Sequence, residues 1–125
     1  MELKGERRGN VAILTVKGGI LTREDSAQLE KAFAGLRSAK RNRLVIDASG
    51  LEHLTSLAIG QMVGFAGEAR KAGGIVAIAS PQPAVLTMLR ALGVTSAVPS
   101  FNTLDEAVAT CEGQTPLRGN TTIIR

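Results

Sequence analysis

The segment formed by residues 44–74 constrains the fold of this chain most strongly, because it predicts a buried strand, a polar turn and a helix in direct succession. The apolar run Leu44-Val45-Ile46 followed by Asp47 indicates a central parallel strand that ends in a carboxylate. A helix is predicted for residues 56–71, and Gly73-Gly74 marks its end. Ligands and partners of α/β sheets bind at the carboxyl ends of the strands, so the turn after Asp47 is the first candidate functional region.

The other segments complete an alternating order, ββαβαβαβα. A hairpin is predicted around Gly9-Asn10, and a first helix begins after Thr22, whose hydroxyl has Asp25 three residues later, as in a capping box. Right-handed crossovers then place mostly parallel central strands in one mixed sheet with about four helices packed on it. The predicted strands are residues 3–8, 11–17, 43–47, 75–79 and a short one at 97–98; the predicted helices run to about Ser38, over 56–71, over 83–90 and from Thr103.

The length of 125 residues, 44% of them hydrophobic, is enough for one domain with a substantial core. We assign the domain to residues 1–111 and a C-terminal tail to residues 112–125. Residues 121–124 of the tail are strand-like, so the tail adds an edge strand, in this chain or to a neighbour, or it is a disordered extension. Oligomeric state is left open, with a homodimer as one candidate.

Composition argues against several classes of protein. No apolar run approaches the roughly 18 residues of a transmembrane helix, and Met1-Glu2-Leu3-Lys4 followed by Arg7-Arg8 lacks the apolar core of a signal peptide, so we expect a cytoplasmic protein without membrane insertion. The single cysteine, Cys111, cannot form an internal disulfide and is expected to be a small, half-buried residue. With only His53 beside it as a further candidate ligand, no metal site is predicted, and no cofactor either.

Nucleic-acid binding and catalysis are both disfavoured by the sequence. The net charge is +4, but the chain has no Trp or Tyr and only three Phe, so aromatic platforms for bases are missing. We expect the basic cluster of Arg37, Lys40, Arg41 and Arg43 to be a solvated turn at a helix end. No glycine-rich phosphate loop and no nucleophile motif occurs, so an enzyme is not predicted.

The helix over residues 56–71 has two contrasting faces when its residues are placed at about 100° steps. The face directed at the sheet contains Ile59, Met62, Val63 and Ala66, with Ala69 at its margin; the opposite face contains Leu57, Gln61, Gly64 and Glu68, flanked by Gly60 and Lys71. An apolar Leu57 beside glycines that leave backbone uncovered suits a protein docking surface. The alternative is that Leu57 packs under the preceding loop and the glycines admit a neighbouring element.

This arrangement resembles the STAS domain family, and within it the small anti-sigma factor antagonists. In that family a strand ends in Asp, and about nine residues later a D-S-[ST]-G-L segment begins a helix that ends near a double glycine. Asp47, the segment Leu54-Thr55-Ser56-Leu57-Ala58-Ile59-Gly60 and Gly73-Gly74 occupy these positions, and Gly19-Ile20-Leu21-Thr22 is similar to the family's G-E-L-D turn. The resemblance extends over about residues 3–110.

The resemblance implies a protein partner, a switch kinase that is also an anti-sigma factor and that phosphorylates the second hydroxyl of the signature. This sequence has Leu57 at the phosphoacceptor position, Thr55 at the acidic position and Ala58 at the glycine position, and Thr22 replaces the aspartate of the G-E-L-D turn. The phosphorylation signature is therefore degenerate, and Ser56 is a displaced candidate acceptor. A step of one residue rotates a helical side chain by about 100°, which favours binding without phosphorylation at the usual site.

The resulting hypothesis is a non-enzymatic domain that binds a kinase-type anti-sigma factor and so regulates transcription. The expected partner-binding residues are Thr22, Asp47, Thr55, Ser56, Leu57, Gly60, Gln61 and Gly64. Asp47 orders the loop by accepting backbone hydrogen bonds or is simply exposed at a strand end. The rival hypothesis is a STAS accessory subunit of a transporter or of a multi-STAS signalling assembly.

Overall fold

The computed structural model describes residues 1–113, and within them it has five strands and four α-helices. The predicted tail lies outside the described residues, apart from Glu112 and Gly113, which belong to the last helix. The strands are β1 Glu2–Arg8, β2 Val11–Ile20, β3 Arg43–Leu54, β4 Ile75–Ala79 and β5 Ser100–Phe101. The helices are α1 Arg23–Ser38, α2 Ser56–Lys71, α3 Pro83–Ala91 and α4 Leu104–Gly113.

The strands form one mixed sheet in the order β1-β2-β3-β4-β5. β1 pairs antiparallel with β2 through the Gly9-Asn10 turn, and β2, β3, β4 and β5 are parallel to one another. Each parallel connection crosses over through a helix, as the alternating order requires. The predicted fold class, a single mostly parallel sheet with four helices, is confirmed.

The core has two layers because helices cover both faces of the sheet. The larger buried cluster joins one face to α1, α2 and α3, and the smaller joins the other face to α4. Alternation along β2 divides its side chains between the layers, with Leu14 in the larger cluster and Ile13 in the smaller. β2 is therefore buried on both faces of the sheet, which explains why residues 11–14 form a continuous apolar run.

Helix α2 buries more of its surface than the sequence predicted. Ile59, Met62, Ala66 and Ala69 are buried as expected, but Val63 is only half-buried. Phe65 is also buried, because α2 packs against α1 as well as the sheet, and its ring stacks on Phe33 with centroids 4.8 Å apart. The helix therefore has two buried sides.

The end of β3 corrects the sequence prediction. We expected a strand over residues 43–47 and a polar turn, but β3 continues to Leu54, and β2 likewise continues through Gly18-Gly19 to Ile20. The pairing skips a residue of β3 after Asp47 and again before His53, so two bulges interrupt the alternation that sequence analysis relies on. Asp47 therefore lies within a strand, not at its end.

Two further predictions were wrong in detail. The short strand expected at residues 97–98 lies at Ser100–Phe101 instead, after a 3₁₀ helix at Val94–Ser96. Cys111 is fully buried against the sheet, and this burial raises the pKa of its thiol to about 11, which makes the thiol unreactive near neutral pH.

In the basic cluster Arg37 and Lys40 are exposed, as expected, but two members of the cluster also bond to other parts of the chain. The guanidinium of Arg37 forms ion pairs with Glu30 at 2.7 Å and Glu68 at 2.9 Å, and Arg43 donates to the Cys111 carbonyl at 2.6 Å. These contacts join α1 to α2 and β3 to α4.

Candidate functional site

Two helices, α1 and α2, begin side by side at the edge of the sheet formed by the carboxyl ends of its parallel strands. Ile20, the last residue of β2, pairs with Leu54, the last residue of β3. Leu21 and Thr55 therefore leave the sheet next to each other, and each chain segment turns at once into a helix. Because the strands are parallel and neighbouring, this edge combines two helix N-termini, which are places where backbone N–H groups lack helical partners.

The N-terminus of α1 is closed by its own side chains. Thr22 Oγ1 accepts a hydrogen bond from the Asp25 N–H at 3.1 Å. Asp25 Oδ2 in return accepts from the N–H groups of Leu21 at 3.0 Å and Thr22 at 3.1 Å. These donors hold the pKa of the Asp25 carboxyl below its ordinary value, and the predicted capping box is complete.

The N-terminus of α2 is closed less completely. Thr55 Oγ1 accepts from the Ala58 N–H at 3.2 Å, but no acidic residue lies in the first turn. Leu54 precedes the cap and belongs to the same buried cluster as Ile59 in the next turn, an arrangement like a hydrophobic staple. The backbone of α2 is thus anchored, while the positive end of its dipole faces solvent without a carboxylate of its own.

Two leucines stand in solvent at these helix starts. Leu21 is 59% exposed and Leu57 is 60% exposed, so Leu57 does not pack under the preceding loop. Ser56 is also exposed. Beside these residues the α2 glycines Gly60 and Gly64 are exposed, and a Cβ added to either would meet no atom within 4 Å. No element of residues 1–113 therefore approaches these glycines, and the backbone here is open.

We call this region the helix-start surface and define it as Leu21, Thr22, Thr55, Ser56, Leu57, Gly60 and Gly64. It combines two large apolar side chains, exposed hydroxyls and uncovered helix backbone. Such a mixture fits recognition of another protein by a few apolar anchors with surrounding polar contacts. No group of His, Cys, Asp or Glu side chains in residues 1–113 is arranged to hold a metal ion.

The structure places two of the expected partner-binding residues away from this surface. Gln61 is half-buried, and its Nε2 donates to the Ser26 carbonyl at 2.9 Å, which joins the first turns of α1 and α2. Asp47 lies beside Thr15 and Lys17 on the face of the sheet opposite to α1 and α2. Its Oδ1 accepts from the Ser49 N–H at 3.1 Å at the first bulge. Both side chains make contacts that organise the chain around the surface.

Leu21 is the residue that sequence reasoning missed. In a hydrophobic staple, the residue before the N-cap packs on the fourth helical residue. For α1 that fourth residue is Ser26, a polar side chain, so Leu21 has no apolar partner, and it is exposed as a result. The absence of a staple partner was visible in the sequence and could have identified Leu21.

Comparison with known proteins identifies the family and the fold of the chain. The sequence matches the STAS domain family over residues 3–107, which is most of the chain. The chain belongs to the STAS domain family. No relative among curated protein sequences matches it.

Solved structures of anti-sigma factor antagonists share the fold of this STAS domain. SpoIIAA of Bacillus in its unphosphorylated form is 16% identical, has a TM-score of 0.76 and covers 91% of this chain and 99% of its own. An anti-sigma factor antagonist from Mycobacterium paratuberculosis is 21% identical, has a TM-score of 0.72 and covers 89% and 93% of the two chains. The STAS domain described above thus resembles anti-sigma factor antagonists in fold.

A transporter contains the same fold in part of its chain. The murine anion transporter Slc26a9 is 17% identical to this STAS domain, with a TM-score of 0.67, over 87% of this chain but only 19% of the transporter. None of the helices in residues 1–113 of the present chain is both long and apolar enough to cross a membrane.

Proposed function

We propose that this STAS domain is a non-enzymatic, cytoplasmic regulator that binds a kinase-type anti-sigma factor through the helix-start surface. Binding sequesters the anti-sigma factor, releases its sigma factor and so regulates transcription. The STAS family membership and the fold shared with anti-sigma factor antagonists support this class of partner.

The observation that carries the proposal is the exposure of Leu57 in the first turn of α2. An isolated exposed leucine is ordinary, but Leu57 lies at the same sheet edge as the equally exposed Leu21 and beside the open backbone of Gly60 and Gly64. A partner that covers both leucines stabilises the complex by about 25 cal/mol for each Å² of apolar surface that it buries. It can also approach the α2 backbone closely because no side chain intervenes.

We further propose that binding is not switched by phosphorylation at the usual position. Leu57 has no hydroxyl, and Ser56 is displaced from it by about 100° around the helix. A phosphate on Ser56 would therefore point along a different direction from one at residue 57. Thr55 is not a free hydroxyl either, because its Oγ1 caps Ala58.

A second candidate function is an accessory subunit of a transporter or of a multi-STAS assembly, and the match to part of Slc26a9 favours keeping it. Permanent subunit interfaces are larger and more apolar than switchable ones. The helix-start surface offers two exposed leucines among hydroxyls and glycines, which suits a reversible complex better.

The deciding experiment is calorimetric titration of the purified chain with the kinase-type anti-sigma factors of the same organism. Leu57→Asp should weaken the complex about 100-fold, because a carboxylate replaces an apolar anchor and is desolvated on binding. Leu92→Asp is a matched control: Leu92 is 58% exposed, at the C-terminal end of α3. It should bind like the wild type.

Each outcome has a distinct meaning. A complex that survives Leu57→Asp unchanged places the interface elsewhere. Failure to bind any such kinase, together with binding to a transporter or another STAS protein, supports the second candidate. Incubation with ATP and the bound kinase tests phosphorylation, and phosphate found on Ser56 by mass spectrometry contradicts an unswitched complex.

A further inference from the structure

β1 is an edge strand whose outer side is open. It lies at one end of the sheet order, and within residues 1–113 no strand pairs with that side. The strand is also regular, because every residue from Glu2 to Arg8 pairs with β2 without a bulge. A regular edge strand presents a row of unpaired N–H and C=O groups, and a strand of another molecule can pair with them.

The side chains of β1 divide between the two faces of the sheet. Leu3 packs against the larger buried cluster, so it lies with Gly5 and Arg7 on the face that α1 covers. The even-numbered residues lie on the face that α4 covers, where Arg8 Nη1 bonds to Asp105 Oδ1 at 2.9 Å. Along that face acidic and basic side chains alternate, and all of them are exposed: Glu2, Lys4, Glu6 and Arg8.

This order of charges is complementary to itself. When two copies of a strand pair antiparallel about a two-fold axis, directly opposite residues lie on the same face of the sheet. If Gly5 of one copy lies opposite Gly5 of the other, Lys4 lies opposite Glu6 of the second copy. Glu2 then lies opposite Arg8 of the second copy. Every opposed pair of charged residues on this face is therefore of opposite sign.

The two neighbouring registers of such a pair lack this complementarity. Moving the second copy by two residues in one direction places Lys4 opposite Lys4 and Glu2 opposite Glu6. Moving it by two residues in the other direction places Glu6 opposite Glu6 and Lys4 opposite Arg8. Like charges that face each other destabilise a strand pair. Charged residues often protect an edge strand from pairing, but here they oppose the neighbouring registers and favour the one centred on Gly5.

The other face of β1 gains apolar contact in the same register. An apolar groove of about 470 Å³ lies between β1 and α1, and its lining includes Leu3, Leu14 and Leu36. A Cβ added to Gly5 would meet no atom within 4 Å, so the groove is open beside the centre of β1. Arg7 of the second copy lies opposite Leu3. Its aliphatic stem can cover part of the groove while its guanidinium stays in water.

We propose that this chain forms a symmetric dimer in which the β1 strands of two copies pair antiparallel, centred on Gly5. The two sheets become one continuous sheet, and the outward backbone groups of both edges find partners. The contact is small, so the dimer is reversible, with an expected dissociation constant of about 10–100 μM. Such a dimer carries two helix-start surfaces, one on each copy.

Sedimentation equilibrium of the full chain, over about 1–500 μM, tests this pairing. The wild type should associate reversibly to a dimer. Lys4→Glu should weaken the dimer about tenfold or more, because like charges then face each other twice across the two-fold axis. Glu6→Lys should do the same. Lys71→Glu is the matched control: Lys71 is exposed in the last turn of α2, and its variant should dimerise like the wild type.

A mixture of the Lys4→Glu and Glu6→Lys variants distinguishes this pairing from a general effect of net charge. In a mixed dimer, residue 4 of each copy again lies opposite a residue 6 of opposite charge. The equimolar mixture should therefore dimerise about as strongly as the wild type, although each variant alone is mostly monomeric. The double variant Lys4→Glu with Glu6→Lys should also recover the dimer.

Three results would overturn the proposal. A wild type that stays monomeric up to about 500 μM excludes the dimer. A dimer that both single variants leave unchanged has its interface elsewhere on the chain. Two weakened variants that form no mixed dimer show that residues 4 and 6 do not face each other, and the register is then wrong. Recovery of the dimer in the mixture supports the pairing centred on Gly5.

Discussion

The N-termini of α1 and α2 lie side by side at the same sheet edge, and both begin at a threonine cap, yet they are completed differently. At α1 the Asp25 carboxylate accepts from the N–H groups of Leu21 and Thr22, and Glu24 adds a second acidic side chain to the first turn. At α2 the Thr55 hydroxyl acts alone, with no acid in the first turn. The start of α1 therefore has carboxylates of its own beside the positive end of the helix dipole. The start of α2 has none, so its dipole can attract an acidic group of another molecule.

The hydrophobic staples differ in the opposite direction: the staple is present at α2 and absent at α1. Leu54 before α2 is buried in the cluster that contains Ile59, whereas Leu21 before α1 lies opposite a polar Ser26 and is exposed. Each helix start therefore has one exposed leucine. Leu21 precedes the cap of α1, and Leu57 follows the cap of α2. A partner that spans both starts meets a firmly closed helix end next to an open one.

The largest effect expected from this comparison concerns Leu21. If the partner spans both helix starts, Leu21→Asp should weaken binding about tenfold or more, although sequence motifs do not single this residue out. Calorimetric titration against Leu92→Asp as the control measures the change. Equal binding by the two variants would confine the interface to α2 and remove Leu21 from it.

The two threonine caps should differ in their value for stability. Thr55→Ala is expected to cost about 1–2 kcal/mol, because the Ala58 N–H that loses its acceptor belongs to a fully buried residue. Thr22→Ala should cost about 0.5–1 kcal/mol, since water can reach the Asp25 N–H. Urea unfolding of both variants, with Thr→Ser at each position as a control, checks the order; a larger loss at Thr22 would contradict it.

Adding a carboxylate to the open helix start should have a smaller, favourable effect. Ser56→Asp places an acid in the first turn of α2 and should stabilise the chain by about 0.5 kcal/mol through the helix dipole. Ser56→Asn has nearly the same shape without the charge and serves as the control. The gain should fade at high salt, and equal stabilities of the Asp and Asn variants would mean that this end of α2 is already compensated.

The smallest effect is a dependence of stability on pH at the closed start. The pKa of Asp25 is lowered from its ordinary value of 3.8 by the N–H groups of Leu21 and Thr22. A carboxyl whose pKa is lowered in the folded state contributes stability that is present above the unfolded pKa and is lost as pH falls through the folded pKa.

Urea unfolding of the wild type and Asp25→Asn at a series of pH values measures this contribution. The wild type should exceed the variant most at neutral pH, and the difference should shrink on acidification below about pH 4. A difference that stays constant into acid would mean that the carboxylate is not what closes α1.

Much of the fold could be predicted because its signals are local. The capping box at Thr22, the glycines after α2 and the apolar period of α2 fix two helices to within a residue. The continuation of β3 to Leu54 could not be predicted, because two bulges break the alternation and make Ala48 to His53 resemble a turn. β5 is only two residues long, so its position is set by pairing with β4 and not by its own composition.

The candidate site divides in the same way. Thr22 and Leu57 could be identified from helix position alone, since capping and helix faces follow from sequence spacing, whereas Thr55 was identified through the resemblance to the STAS signature. Gln61 and Asp47 could not be placed, because their surroundings come from distant segments: Ser26 of α1 for the first, and the bulged pairing with β2 for the second.

The sequence by itself therefore determined the order of elements and the apolar Leu57 in the first turn of α2, since these depend on neighbours within one or two helical turns. Only the tertiary structure decided that Leu21 and Leu57 share one edge and that the α2 glycines remain uncovered. Those properties depend on the register of β2 against β3 and on which side chains fill the space between elements. Contacts between segments far apart in sequence decide both.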